Sequence, residues 1–219
     1  MKKSFIVIGL GRFGINLVKG LVALKRDVLA IDKFQDAVEQ VSQITPNCAI
    51  ADGTKIKALE ELGVKSIDHA IVAIGNNLQD TILTVINLKQ LGVRNITVRI
   101  DADELRNIML KIGATEVIIP EEASAIGLAN QLLSDSILDY YKLNDDYSMA
   151  TVYVGPDFKE QTVIQLDTRK KFDINIIGIT RDEKFFQPKP EDVILKHDKL
   201  TVFGSDKKIV KFDNFLNKI

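Results

Sequence analysis

Three glycines and one aspartate near the start of the chain have the types and spacing of a diphosphate site. Residues 4–8 form a short apolar segment that runs into Gly9, Gly11 and Gly14. The first glycine permits a tight turn, the second lets backbone approach a phosphate, and the third lets the next helix pack closely. Asp32 ends a second apolar segment 18 positions after Gly14 (32 − 14), near the ~20 expected for an acid that binds a ribose hydroxyl. The pattern predicts a nucleotide site at a helix N-terminus.

Further polar residues follow the later strand-like segments. Arg12 can make paired bonds to phosphate oxygens, or it can extend from the helix start into solvent. Asp52, followed by Gly53, either meets the adenine or caps the next helix. Arg99 ends the fifth strand-like segment, where it either supports the structure or faces phosphate.

Two more positions belong to this candidate edge. Gly75, Asn76 and Asn77 follow the fourth strand-like segment, where open parallel sheets bind ligands, although the same residues are typical of a turn. Glu121 opens a helix after Pro120, and an acid there complements the helix dipole. To reach a nucleotide's terminal phosphate, that carboxylate would need a cation between them.

Alternating strand-like and helix-like segments over residues 4–119 position these groups. Continuous apolar segments such as residues 70–74 are typical of strands buried on both faces of a parallel sheet. The six predicted strands are residues 4–8, 28–32, 47–51, 70–74, 95–100 and 116–119. The fold class is therefore α/β, with a Rossmann-like doubly wound parallel sheet in residues 1–120.

The pattern changes after Pro120. Residues 121–141 predict one long or broken amphipathic crossover helix, with a linker over residues 144–146. The apolar side of this helix is expected to carry Ile126, Ala129, Leu133, Ile137 and Tyr140. The crossover helix and linker take up residues 121–143, and a second, smaller α+β domain takes up residues 144–219. Its predicted strands are residues 149–154, 174–179, 185–186 and 199–203, with helices over residues 162–171 and 207–216. The repeated lysines of residues 207–216 are equally typical of a frayed end.

The composition is that of an ordinary globular protein, with 46% hydrophobic and 27% charged residues. The 29 basic and 30 acidic residues balance, so we expect no nucleic-acid partner. No apolar stretch approaches the ~20 residues that span a bilayer, and Cys48 is the only cysteine. We expect a cytoplasmic protein that reaches any membrane through a partner.

The two histidines, His69 and His197, are not spaced with other residues as in known catalytic groups. This favours binding without chemistry. A small NAD-dependent oxidoreductase is the main alternative, since Asp32 would favour NAD over NADP. A redox-sensing transcription regulator is a second alternative, which the even charge disfavours.

The motifs together closely resemble the cytosolic regulatory subunits of Ktr-type potassium uptake systems, proteins of the "regulator of K⁺ conductance" class. The resemblance rests on residues 5–14 (FIVIGLGRFG), Asp32, residues 51–54 (ADGT), residues 73–77 (AIGNN), residues 112–114 (IGA) and residues 120–121 (PE). It implies homodimers that build an octameric ring beneath a membrane potassium-translocating subunit. It also implies that ATP, ADP and sometimes NAD(H) compete for the Rossmann site.

The resemblance implies roles for individual residues as well. Asp32 would hold the ribose, Arg12 the terminal phosphate, and Glu121 a divalent cation such as Mg²⁺ at a dimer interface. The cofactor-binding residues are expected to be Gly9, Gly11, Arg12, Phe13, Gly14, Asp32, Asp52, Gly53, Ala73, Ile74, Gly75, Asn77, Arg99 and Glu121. Several relatives also bind cyclic di-AMP between C-terminal lobes.

For that second ligand, residues 166–177 resemble the relevant region. Arg169 and Asn175 are the candidate polar contacts, and Ile177 and Pro188 the candidate apolar ones. The competing interpretation makes Arg169 a cation on a helix surface and Asn175 a turn residue.

Overall fold

The structure, a computed structural model, describes residues 3–75, 77–132, 136–144 and 146–218. It divides into two compact units, the first ending at Glu121 and the second beginning at Glu122. None of the helices in these described ranges is both long and apolar enough to cross a membrane.

The first unit alternates strands and helices. Its strands are β1 (Ser4–Ile8), β2 (Asp27–Asp32), β3 (Cys48–Ile50), β4 (His69–Val72), β5 (Asn95–Arg99) and β6 (Glu116–Ile118). Its helices are α1 (Arg12–Ala23), α2 (Gln35–Ser42), α3 (Ile56–Glu61), α4 (Leu78–Gln90) and α5 (Arg106–Ile112), and α6 (Pro120–Gln131) begins at its end. The strands form one parallel sheet in the order β3-β2-β1-β4-β5-β6. This confirms the predicted doubly wound fold.

The central strands are apolar because both faces of the sheet are covered. Along β1, Ile6 and Ile8 belong to the core on one face, while Val7 between them belongs to the core on the other. All three side chains are 2% exposed or less. Successive side chains of a strand point to opposite faces, so a strand covered on both sides is apolar along most of its length.

The second unit is smaller and antiparallel. Its strands are β7 (Ile137–Lys142), β8 (Tyr147–Tyr153), β9 (Gln161–Thr162), β10 (Asn175–Arg181), β11 (Lys184–Phe186), β12 (Val193–Ile194) and β13 (Lys199–Ser205). Its helices are α7 (Val163–Leu166), α8 (Thr168–Phe172) and α9 (Asp206–Asn217). Five strands form a sheet in the order β11-β10-β13-β8-β7, and β9 pairs with β12. From α9, Ile209, Phe212 and Leu216 are buried in the core of this unit.

The prediction of a helix over residues 121–141 is wrong in its second half. Helix α6 ends at Gln131, and Ile137 to Lys142 form strand β7. The register of β7 against β8 shifts between Ile137 and Asp139, so Leu138 is an extra residue in a bulge. Ile137 and Tyr140 are therefore both buried although three positions apart, a spacing that imitates a helix. Leu133, also assigned to the apolar side, lies outside the described residues.

Two smaller predictions in this unit are also corrected. The helix predicted over residues 162–171 is broken into α7 and α8 at Asp167, whose φ of +48° is left-handed. The predicted linker at residues 144–146 belongs instead to the turn between β7 and β8. There Asn144 Oδ1 accepts hydrogen bonds from the backbone amides of Asp146 and Tyr147, at 3.0 and 2.9 Å. Asp145 lies outside the described residues.

Candidate functional site

A pocket of about 900 Å³ opens at the carboxyl edge of the parallel sheet. It lies where the strand order reverses between β1 and β4, which is where open parallel sheets bind ligands. Most of the predicted cofactor-binding residues line it: Gly9, Gly11, Arg12, Phe13, Asp32, Asp52, Gly53, Ala73, Ile74, Gly75, Asn77, Arg99 and Glu121. Gly14 is absent from this lining, because it packs behind the turn.

An added side chain would have a different effect at each of the three glycines. Gly9 has φ of +99°, and a Cβ there would lie 2.6 Å from the carbonyl oxygen of Ala73. A Cβ on Gly14 would lie 2.0 Å from the carbonyl oxygen of Gly9, so this residue allows α1 to approach the turn. Gly11 has φ of −71°, and a Cβ there would meet nothing within 4 Å. Packing therefore explains Gly9 and Gly14, while the space at Gly11 is open toward a ligand.

The N-terminus of α1 provides donors for an anion. Gly11 is its N-cap, and among the described residues no side chain caps it and no acid stands in its first turn. Arg12 begins the helix with an exposed side chain that lines the pocket. In the described ranges no carboxylate forms an ion pair with Arg12. Backbone amides, the helix dipole and a guanidinium thus converge on one end of the pocket.

Asp32 holds the glycine turn in place. Its Oδ2 accepts a hydrogen bond of 2.7 Å from the amide of Leu10, and its Oδ1 accepts one of 2.9 Å from the amide of Phe34. A carboxylate offers about four lone-pair positions, so each oxygen can accept a further bond from a ribose hydroxyl. The contact with a ligand stays a prediction of the spacing argument, which did not indicate this structural role.

Asp52 is the second carboxylate of the pocket. Its Oδ1 accepts hydrogen bonds from the amide and hydroxyl of Thr54, at 2.9 and 2.7 Å, so it organises the loop before α3. Burial acts to raise the pKa of Asp52, but the bonds from Thr54 and the charges of Lys55 and Lys33 outweigh it and lower the pKa. The carboxylate is therefore ionised at neutral pH.

Gly75 and Asn77 follow β4. Gly75 has φ of +68°, which favours glycine in this turn. Asn77 is the N-cap of α4, and its Oδ1 accepts a 2.9 Å bond from the amide of Asp80. Capping alone thus accounts for Asn77, although it also lines the pocket. Asn76 lies outside the described residues.

Arg99 connects the pocket to the start of α6. Its Nη2 lies 2.8 Å from Asp101 Oδ1 and 2.7 Å from Glu121 Oε1. Only 14% of its side chain is exposed, and its Nε has no hydrogen-bond partner among the described residues. The backbone amide of Glu121, followed by the bond from Arg99, holds the pKa of the Glu121 carboxyl below its ordinary value.

A divalent cation would find few protein ligands here. Within the described ranges no group of three or more His, Cys, Asp or Glu side chains is arranged to hold a metal ion. Glu121 offers one carboxylate, and Arg99 already contacts one of its oxygens. Mg²⁺ fits such a site only if phosphate oxygens and water supply most of its ligands, as is common for this ion.

Eight residues of the pocket lining were missed by the sequence analysis: Ile8, Leu10, Lys33, Phe34, Ala37, Ala51, Thr54 and Asp80. Several adjoin predicted residues, so the ends of β1, β2 and β3 could have indicated them. Asp80 differs, because it comes from the first turn of α4 and forms a 2.8 Å ion pair with Lys33. No local pattern indicates that contact.

The candidate residues for a second ligand lie in the other unit. Arg169 is exposed on α8, and Asn175 begins β10, so the turn assignment for Asn175 is wrong. Ile177 is 38% exposed where the register of β10 against β13 shifts between Ile176 and Gly178. Pro188 follows β11 and is half-buried.

Neither histidine is among the residues that line the pocket. His69 begins β4 at the opposite edge of the sheet, and its Nε2 lies 2.7 Å from the hydroxyl of Thr97. Burial lowers its pKa, more than Glu116 raises it. His197 belongs to the second unit, where its ring contacts Tyr153.

Comparison with known proteins places the chain in a family. A family profile described as the TrkA-N domain matches residues 5–120, and one described as the TrkA-C domain matches residues 148–217. The chain is 38% identical to Ktr system potassium uptake protein C of Bacillus subtilis (strain 168) over 214 residues, covering 97% of each chain. It is 33% identical to Ktr system potassium uptake protein A of the same organism over 213 residues, covering 97% of this chain and 96% of that one.

A solved structure agrees with the fold. The GsuK channel bound to NAD aligns with 99% of this chain at a TM-score of 0.65 and 14% identity, and the alignment spans 39% of the channel's own chain. At that identity the likeness concerns the fold alone. The two family profiles and the matches over nearly the whole length of the Bacillus proteins show the family. The chain belongs to the Ktr-type potassium uptake regulatory subunits, with a TrkA-N domain followed by a TrkA-C domain.

Proposed function

We propose that this chain is a nucleotide-sensing regulatory subunit that gates a membrane potassium channel or transporter. The observation that carries this proposal is the pocket itself, where an open glycine turn, a helix N-terminus and two arginines converge. Family membership supplies the context of potassium uptake. The activity is control by ligand occupancy, without chemistry on the ligand.

The charges of the pocket orient the nucleotide. Asp32 and Asp52 stand at the ends of β2 and β3, and their carboxylates suit the hydroxyls and amines of an adenosine. Arg12 begins α1 at the glycine turn and Arg99 ends β5, and both guanidinium groups suit phosphate oxygens. ATP or ADP therefore binds with its adenosine toward β2 and β3. NAD(H) fits the same site, and the GsuK channel, which shares this fold, has been solved with NAD bound.

Discrimination between ATP and ADP depends on the phosphate end. Arg12 has no competing carboxylate in the described ranges, so its guanidinium is available to a terminal phosphate. Glu121 supplies one oxygen to a divalent cation, and the phosphates of ATP supply others. A phosphate that binds the Arg99 guanidinium competes with Glu121 for it, and the carboxylate released from Arg99 then has both oxygens available to the cation.

That exchange of partners transmits occupancy. Glu121 is the second residue of α6, the helix that begins where the first unit ends. A phosphate that draws Arg99 from Glu121 changes what holds the start of this helix. In the proposed assembly, homodimers build an octameric ring that contacts the membrane potassium-translocating subunit. A ligand shifts such a ring only through its differential affinity for two states, and ~100-fold corresponds to about 2.7 kcal/mol.

Cyclic di-AMP at the C-terminal unit is a separate part of the proposal. Asn175 and Ile177 lie two positions apart on β10, and they offer a polar and an exposed apolar contact. Arg169 adds an exposed cation for phosphate, and Pro188 a half-buried apolar surface. Bound there, the ligand would inhibit uptake. The ligand is symmetric, so two C-terminal units would share it.

A ligand panel tests the proposal. Purified protein is titrated by calorimetry with ATP, ADP, NADH and cyclic di-AMP, with and without Mg²⁺, and its melting temperature is followed in parallel. A ligand that binds the native state raises the melting temperature by mass action. We expect ATP and ADP to bind with different affinities, and no steady oxidation of NADH by small metabolites. If no adenine nucleotide binds, the proposal fails. If the protein oxidises NADH with turnover, the proposal also fails, and the oxidoreductase alternative replaces it.

A further inference from the structure

An ion pair in the lining of the pocket joins the end of β2 to α4. Lys33, which directly follows Asp32, places its Nζ 2.8 Å from Asp80 Oδ2 in the first turn of α4. Both residues line the pocket, and their side chains are 41% and 19% exposed. The two residues are 47 positions apart in the chain, so the contact exists only in the fold.

Lys33 stands among acids that share this end of the pocket. The bond to Asp80 and its charge chiefly raise the pKa of Lys33, and the charges of Asp52 and Asp32 add to the increase. Its ammonium also lies 5.3 Å from the centre of the Phe34 ring. Lys33 is therefore a positive group at the position where a ribose is expected, and its direct partner is Asp80.

The chemistry of this position decides which ribose is accepted. An acid at the end of the second strand binds the free 2′-hydroxyl, while a nearby cation accommodates a 2′-phosphate. This chain has both the acid and the cation in adjacent positions, Asp32 and Lys33. The ion pair with Asp80 removes Lys33 from the second role, because a 2′-phosphate would have to displace a carboxylate.

We propose that Asp80 is a positioning residue that engages Lys33 and so restricts the pocket to adenine nucleotides with a free 2′-hydroxyl. This inference rests on the proposed function. A nucleotide with a 2′-phosphate is rejected by Asp32 and gains nothing from Lys33. The same ion pair also ties the loop after β2 to α4, so a purely structural role is the interpretation that the test must separate.

The test compares ligands that differ only by a 2′-phosphate. Dissociation constants of NADH against NADPH, and of AMP against 2′,5′-ADP, are measured by calorimetry for the wild type, Asp80→Asn, Lys33→Met and the double variant. The wild type is expected to prefer NADH and AMP. Asp80→Asn should shift both ratios toward the 2′-phosphorylated ligand by about tenfold, the effect of roughly one charge-assisted hydrogen bond. High salt should reduce this shift.

The double variant isolates the path through Lys33. If Asp80 acts through Lys33, removing the ammonium in the Asp80→Asn background abolishes the shift. Glu183→Gln is the matched control, since it breaks a surface ion pair with Lys199 of 3.1 Å in the other unit. It should leave both ratios unchanged.

The outcomes separate the two proposals. If the wild type binds none of these ligands and no ATP or ADP, the proposed function itself fails. If the wild type binds adenine nucleotides but does not discriminate against the 2′-phosphate, or if Asp80→Asn leaves the ratios unchanged, only this inference is overturned. A shift that persists in the double variant also overturns it, because Lys33 is then not involved.

Discussion

Gly11→Ala should weaken nucleotide binding about 100-fold while leaving the fold intact. At φ −71° and ψ −173° the backbone of Gly11 is open to any residue, and an added Cβ meets nothing within 4 Å. Alanine is a poorer N-cap than glycine by ~1 kcal/mol. It also restricts the unfolded chain, which stabilises the protein by ~0.4–1 kcal/mol. The two effects nearly cancel, so the free energy of unfolding should change by less than ~0.5 kcal/mol.

The effect on binding should be much larger. The added methyl group occupies the space through which a phosphate approaches the N-terminus of α1. A ligand displaced there loses at least one charge-assisted hydrogen bond, each ~1.5–3 kcal/mol. Loss of about 2.7 kcal/mol weakens binding about 100-fold. Calorimetry with ATP and denaturant unfolding of the same preparation measure the two effects separately.

Two other glycines of the same segment are the controls. Gly20 lies within α1, and its added Cβ also meets nothing within 4 Å, so Gly20→Ala should stabilise the helix by ~0.5–1 kcal/mol and leave ATP affinity unchanged. Gly14→Ala should destabilise the first unit by ~3 kcal/mol, because its Cβ would lie 2.0 Å from a backbone oxygen. Unchanged ATP affinity in Gly11→Ala would refute the argument that its open space serves a ligand.

Four further predictions concern single side chains. Arg12→Gln should narrow the preference between ATP and ADP by about tenfold and spare AMP, which calorimetry measures. Glu121→Gln should remove the additional thermal stabilisation that Mg²⁺ gives with ATP, while stabilisation by ATP alone remains. Burial lowers the pKa of His69, so the folded protein favours the neutral ring, and the stability gained from this at a pH above 6.5 is lost as the pH falls below 6.5. His69→Gln should therefore make the melting temperature fall less steeply over that pH range. Asp206→Asn should destabilise the second unit by ~2 kcal/mol in denaturant unfolding. The Asp206 carboxylate accepts hydrogen bonds from the hydroxyls of Tyr140 and Ser148 and pairs with Lys142, and burial together with this contact raises the pKa of Tyr140 to about 12.

The first unit could be predicted from the sequence because local signals and the fold agree there. The glycine turn, the apolar strands and the aspartate after β2 each require the same βαβ geometry, and the strand order follows from it. The second unit offers weaker signals. A bulge at Leu138 gave Ile137 and Tyr140 helical spacing, and the left-handed Asp167 broke a predicted helix without a glycine to mark it.

The site could be predicted where a residue adjoins a motif, and not where the fold joins distant residues. Asp32 was found from its spacing, but its two backbone contacts depend on the folded turn. The ion pair of Lys33 with Asp80 was missed because a charged residue in a first helical turn is explained by the helix dipole alone. Long-range polar contacts of this kind leave no periodic trace in a sequence.

The contacts within the pocket also indicate which groups can respond to a ligand. Asp32 holds the glycine turn through amides of the chain itself, so the shape of this turn does not depend on a nucleotide. Asp52 is held in the same way by Thr54. Arg99 differs, because its contacts are two exposed carboxylates and its Nε is unpaired among the described residues. A phosphate can compete for Arg99 without disturbing the turn, and the carboxylate that loses in this competition, Glu121, lies at the start of α6. Under the proposed function, we therefore expect selection of the ligand at the adenosine end and the response to it at the phosphate end.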